Sequence, residues 1–330
     1  MSVDSPDLLE DMTALSVKEK LVVGEVSVPL YVTFDSQEEA LQDISSNLVI
    51  GTIMEMYGYS PISDDNWKLY YDAMYELMDS PLRPEWYNEG NTEFRQLRQF
   101  FDIYENKEKN DVIKSTILTS AISGGITPNI DVMSLLPYES YNTLNAVNTG
   151  ISVASVVVNG FNVDNGVAYA KKYAETANKS VYGTKSKDCT NFVSQILENG
   201  GIAQVKYSDE AKGWWHTTSS VHGSTFHKYS ISWVNADTFS RYMGVHYTST
   251  SLYNFSKNLQ RGDFIAADFD NDGDWDHMGF VVDRDSTTTN GYYDFKVAQH
   301  TDNYLAWATS DKNNWDQIAR DGGKYGRIRR

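Results

Sequence analysis

The chain has 330 residues, 41% of them hydrophobic and 13% aromatic, which suits two domains or one large one with real cores. A formal net charge of −17 leaves no basic stripe to replace phosphate counterions, so it argues against nucleic-acid binding and against electrostatic docking on an anionic membrane. A single cysteine permits no intramolecular disulfide and excludes a cysteine-rich zinc site. The longest apolar run, GISVASVVVNGF at 150–161, is too short and too interrupted to span a membrane. The opening MSVDSPDLLEDM is acidic and lacks the basic-then-apolar pattern of an export signal. It therefore reads either as a cytosolic chain or as an exported one whose leader has been removed.

Residues 1–155 carry mostly helical patterns. KLVVGEVSVPLYVTF (20–34) alternates like a strand or extended arm. SQEEALQDISSNLVIGTIMEMYG (36–58) opens with Ser36 and Glu39 at capping-box spacing. The segment 64–79 puts Trp67, Tyr71, Met74 and Met78 on one face, and 91–106 does the same with Phe94, Leu97, Phe101 and Tyr104. Such stripes read as core. No repeat and no chemistry-bearing motif occurs here, so this half is expected to be an accessory or regulatory region.

Residues 160–330 have a different texture. NVDNGVAYAKKYAETANKS (162–180) reads as a capped helix, and KSKDCTNFVSQILENGG (185–201) as a second one, with Phe192, Val193, Ile196 and Leu197 at helical spacing and a Gly200–Gly201 stop. An aromatic stretch follows (213–247), then the alternating segments GDFIAADFD, HMGFVVD and YYDFKVAQH. Helices followed by antiparallel strands predict an α+β domain.

Cys189 falls in the first turn of its helix, where unpaired backbone N–H groups and the positive end of the macrodipole lower a thiol pKa. A nucleophilic thiol needs a base, and the base an orienting group. Of the six histidines, a hairpin centred between Thr288 and Thr289 places His277 directly opposite His300. That register makes His277 the base and His300 its orienter. Gln299, Asp302 or Asn303 could take the orienting role if a bulge shifts the register.

A second motif abuts His277. DFDNDGDWDH (268–277) sets Asp268, Asp270, Asp272, Asp274 and Asp276 around Gly273, the spacing that opens a calcium-binding loop. The bidentate Glu expected at the twelfth position is absent, since residue 279 is Gly. The two readings are a structural Ca2+ site pinning the loop that delivers His277, and a solvated acidic turn.

DCTNFVSQ, GWWH, SWVNADTFSRYM, GDFIAADFDNDGDWDHMGFVV and VAQHTDNY, in that order, resemble the putative amidase domain of Gram-positive bacteria. That family is a branch of the papain-like NlpC/P60 and CHAP superfamily of cell-wall hydrolases. The resemblance covers about residues 160–330. It implies a papain-like fold, with a helix-borne cysteine packed on an antiparallel sheet, a histidine at a strand start and a third polar residue on the next strand: Cys189, His277 and His300. It also implies an extracellular or wall-associated enzyme cleaving peptidoglycan amide bonds, with Trp214, Trp215 and Trp233 lining a groove for peptide or sugar. The oxyanion would meet backbone N–H groups, that of Cys189 among them. The competing expectations are a catalytically silent wall-binding module and a thiol peptidase or toxin acting on protein substrates.

Overall fold

The computed structural model describes residues 16–23, 26–78, 84, 91–122, 136–137, 140, 160–221 and 224–330. The chain divides into two compact units, Met1–Val147 and Asn148–Arg330. The boundary expected at 155–160 falls on a stretch whose residues up to 159 lie outside the described ones.

In the first unit, strands β1 (Ser16–Val23) and β2 (Val26–Phe34) form an antiparallel hairpin with a register shift between Lys18 and Lys20. Helix α1 (Gln37–Ile44) is capped by Ser36, whose hydroxyl accepts the Glu39 N–H. The helical pattern at 36–58 is broken by Asn47, which is extended and accepts the Val49 N–H, so that a separate helix α2 (Leu48–Tyr57) begins there. Helices α3 (Trp67–Met78) and α4 (Thr92–Ile122) complete the unit. Trp67, Met74, Phe94, Leu97, Phe101 and Tyr104 share one buried cluster, as their spacing requires. Two asparagines on α4 tie it to β2: Asn110 exchanges hydrogen bonds with the Tyr31 backbone at 3.1 and 2.9 Å, and Asn106 donates to Val32 O at 3.0 Å.

The second unit is α+β. It runs α5 (Val163–Tyr173), α6 (Lys179–Tyr182), α7 (Cys189–Asn199), β3 (His216–Val221), β4 (Ser224–Tyr229), α8 (Ile231–Val234), α9 (Ala236–Met243), β5 (Tyr247–Ser249) and α10 (Leu252–Lys257). Strands β6 (Phe264–Asp268), β7 (His277–Thr289), β8 (Tyr292–Gln299), β9 (Tyr304–Trp307) and β10 (Lys324–Ile328) follow. The β3–β4 hairpin stands apart, and the other six strands form one antiparallel sheet in the order β5-β10-β6-β7-β8-β9.

Alternation along the strands sorts the two faces of this sheet. Ile265, Ala267, Val281 and Val297 join Phe255, Trp315 and Tyr325 in one buried cluster. Phe264 and Phe280 point the other way, onto Phe161, and α7 packs on β7 and α5. This packing brings the first residue of α7 to the β7 end where His277 starts. Among the described residues no helix is long and apolar enough to cross a membrane.

Candidate active site

Cys189 is the first residue of α7, as its flanking sequence predicted, and is 3% exposed. The preceding Asp188 stands at the N-cap but makes no capping bond. Its Oδ1 instead accepts the Lys185 N–H at 2.9 Å and the Asn191 amide at 2.8 Å, while Oδ2 lies 2.7 Å from His300 Nδ1. The N–H groups of Asp188 and Cys189 both donate to Thr301 Oγ1, at 2.8 and 3.1 Å. Burial alone would raise the Cys189 thiol pKa. The charge and hydrogen bond of His277, with the Thr190 hydroxyl and the Met278 backbone N–H, outweigh it and bring the thiol below its ordinary value.

His277 opens β7 and is 6% exposed. Its Nε2 lies 3.0 Å from Gln299 Oε1, which also receives the Trp315 indole N–H at 2.8 Å. An indole N–H only donates, so this Gln299 atom is the carbonyl oxygen. The Gln299 NH2 correspondingly turns to the carbonyls of Thr301 and Asp302, both at 3.4 Å. The network therefore assigns the imidazole proton to Nε2. Nδ1, the remaining ring nitrogen, is the one left to face the thiol. An unprotonated nitrogen beside a thiol is a general base in position.

His300 is not opposite His277. Register shifts between Val281 and Asp283 and between Arg284 and Thr288 break the simple hairpin, and near the site the pairs are Phe280 with Ala298 and Val281 with Val297. Carried to the strand ends, that is one residue off the expected register, and a one-residue slip turns every side chain to the opposite face. Gln299 thereby faces His277. His300 goes into the interior, stacked on Phe192 at 3.9 Å between ring centroids, with Nε2 on Tyr173 O at 2.8 Å and Nδ1 on Asp188. It supports the start of α7 through Asp188.

The three tryptophans do not line a groove. Trp214, Trp215 and Trp233 are 1%, 3% and 0% exposed. Trp214 and Trp233 stack at 4.6 Å and donate their indole N–H groups to Ser194 and Asn191 of α7, both at 2.9 Å. Trp215 donates to Lys212 O. A buried indole needs an acceptor for its N–H, and the polar positions of α7 supply two of them. Trp214 and Trp233 thus anchor α7 from within the core.

The acidic loop joins β6 to β7, turned by Asn271 and Gly273 at φ of 58° and 97°. Carboxylate oxygens of Asp268, Asp270 and Asp276 lie within 4.8 Å of one another. Asp272 and Asp274 are outside that group, and Asp272 Oδ1 accepts the Asp274 N–H at 2.9 Å. Asp268 is fully buried, accepts N–H groups from Asp272 and Gly273, and pairs with Lys324 Nζ at 3.0 Å. Burial raises the Asp268 pKa, against the opposing pull of Lys324. Three converging carboxylates suit a hard cation, and Lys324 already supplies one positive charge. At Gly279 a Cβ would stand 2.9 Å from the Trp315 ring, so the room a twelfth-position Glu would need is occupied by the side chain that holds Gln299.

Sequence reading named Gln299 only as a substitute and missed Trp315, Thr301 and Asp188. Trp315 lies in an irregular segment 16 residues beyond Gln299, with no motif around it to signal the contact. Asp188 adjoins the cysteine, but its role depends on a histidine 112 residues away.

Residues 160–328 match the family described as the putative amidase domain. The chain is 31% identical over 121 residues to the uncharacterized protein YhbB of Bacillus subtilis, covering 36% of each chain. It is 32% identical over 152 residues to the uncharacterized protein YjcM of the same organism, covering 42% of this chain and 32% of that one. The chain thus spans about a third of the length of these curated relatives. No solved structure matches it. With half of its length in the family's pattern, and a cysteine, a histidine and a glutamine brought together within that half, the chain belongs to the putative amidase domain family.

Proposed function

We propose that the chain is a cysteine-dependent amide hydrolase of the papain-like superfamily, acting on peptidoglycan amide or peptide bonds outside the cytoplasm. The observation that carries this reading is the chain Cys189–His277–Gln299, in which a thiol with a lowered pKa meets an imidazole whose tautomer is held by a buried amide. His277 Nδ1 takes the thiol proton, and the sulfur adds to the amide carbonyl. The tetrahedral adduct collapses, the amine leaves with the proton from His277, and the acyl-enzyme is hydrolysed by a water that the same nitrogen activates. Gln299 keeps the ring in register through both half-reactions. Asp268, Asp270 and Asp276 would hold a structural Ca2+, whose contribution is charge neutralisation in the loop leading to His277.

The test is digestion of purified peptidoglycan, with released amines and muropeptides identified by mass spectrometry. Wild-type protein should release new amino termini, and Cys189→Ala should release none while keeping the native circular dichroism spectrum. Equal release by both proteins sinks the cysteine mechanism.

A further inference from the structure

The backbone N–H of the nucleophile is the donor first expected to receive the oxyanion. Here it is occupied, since it and the Asp188 N–H both donate to Thr301 Oγ1. A hydroxyl has two acceptor positions and one proton. With both acceptor positions filled, Thr301 has only its proton left, and among the described residues no acceptor receives it. Thr301 is 4% exposed, close to the 3% of Cys189.

The backbone places this hydroxyl at a conformational cost. Thr301 and Asp302 have φ of 60° and 65°, a region in which a β-branched residue is an outlier. The corner is held by the Gln299 NH2 on the carbonyls of Thr301 and Asp302, while the oxygen of that amide orients His277. Asp188, placed by sequence to cap α7, gives its carboxylate to His300, Lys185 and Asn191 and leaves the helix N–H groups to Thr301. Two donors at the positive end of α7 polarise the hydroxyl and strengthen its proton as a donor. The hydroxyl oxygen stands 3.1 Å from the backbone nitrogen of Cys189, the residue that carries the sulfur.

We infer that Thr301 is the oxyanion donor of this site, an inference that rests on the reading of Cys189 as a nucleophile toward carbonyl carbon. As sulfur adds, the carbonyl π pair moves onto oxygen and the Thr301 O–H donates to it. On collapse the pair re-forms the carbonyl and the leaving group departs, an amine carrying the proton that His277 had drawn from the thiol. Thr301 thus relays the helix N-terminus to the substrate in place of the Cys189 N–H itself.

Two probes of one thiol test this without the natural substrate. Acylation by p-nitrophenyl acetate, read as the burst of p-nitrophenolate, passes through an oxyanion, whereas alkylation by iodoacetamide does not. Thr301→Val keeps the branched shape and should slow acylation by roughly 100-fold or more, with alkylation within about threefold of wild type, the spread of a typical packing perturbation. Thr301→Ser should restore most of the acylation rate. Thr301→Ala, smaller than the native residue, is the second variant should valine prevent folding, with the same expected fall in the acylation-to-alkylation ratio. An unchanged ratio overturns the inference. So does a parallel loss of both rates, which would make Thr301 a cap that only holds the thiolate. A wild-type thiol that the ester acylates, in a protein releasing nothing from peptidoglycan, sinks the peptidoglycan reading and leaves the ratio interpretable. A wild-type thiol that the ester does not acylate overturns both.

Discussion

Replacing Gln299 by leucine removes the one oxygen that serves two buried donors, His277 Nε2–H at 3.0 Å and Trp315 Nε1–H at 2.8 Å. Gln299 is fully buried, so water does not take its place. A buried donor left without an acceptor costs about 1–3 kcal/mol. Two of them cost about 2–6 kcal/mol, offset by about 1–2 kcal/mol from the apolar surface that leucine buries. The expected net loss lies within about 0–5 kcal/mol, centred on about 2.5 kcal/mol, seen as a lower urea midpoint with an unchanged m-value. Hydrolysis should fall further than stability explains, because the imidazole is free to exchange its proton between nitrogens and to rotate away from the thiol. Gln299→Glu keeps an acceptor for both donors and should retain more activity than the leucine variant. A Gln299→Leu protein with the wild-type midpoint and wild-type turnover would refute the idea that this amide oxygen holds the two rings.

Three further outcomes are expected. His277→Asn removes the main influence lowering the Cys189 thiol and leaves burial, which raises it. The pH–rate profile for iodoacetamide should then inflect above the ordinary thiol value of about 8.5 instead of below it, and an unmoved inflection would refute the pairing. Burial, with the neighbouring His227, holds the His216 pKa at about 4, against 6.5 for a free histidine. Between those values the unfolded chain binds more protons, so stability should fall as pH drops through that window, by roughly 2 kcal/mol after allowing for solvent screening. His216→Phe should flatten this slope in urea titrations at pH 7 and 4.5, and an equal slope in the variant assigns the acid sensitivity elsewhere. Chelation by EDTA should lower the melting temperature, with added Ca2+ restoring it and Asp270→Asn weakening the response. No response to either makes the acidic loop a turn neutralised by Lys324.

How much of this was readable in the chain follows from the range of each interaction. The α7 start, the apolar stripes of α3 and α4 and the alternating β6, β7 and β8 segments are local patterns, and they appeared where periodicity put them. The break at Asn47 is also a local signal, which was absorbed into a longer helical pattern. Trp214 and Trp233 were legible as large aromatics, and the family resemblance set them in a substrate groove, whereas they are buried. Their orientation depended on the acceptors Ser194 and Asn191, which point inward only once α7 is packed.

The residues of the site were largely present in the sequence reading, while their pairing was not. Cys189 at a helix start and His277 at a strand start follow from neighbours within a few positions, and the sequence by itself determined both. Which β8 side chain meets His277 depends on bulges about four to eleven positions along the β7–β8 ribbon, and each one-residue slip inverts the faces. The tertiary structure decided that Gln299 faces His277 and that His300 faces Asp188. It also decided that Thr301, in a conformation no local propensity favours, covers the N–H of Cys189. Periodicity reports which face of an element is buried. Only the assembled sheet, where each buried donor must find an acceptor, determines which polar group meets which.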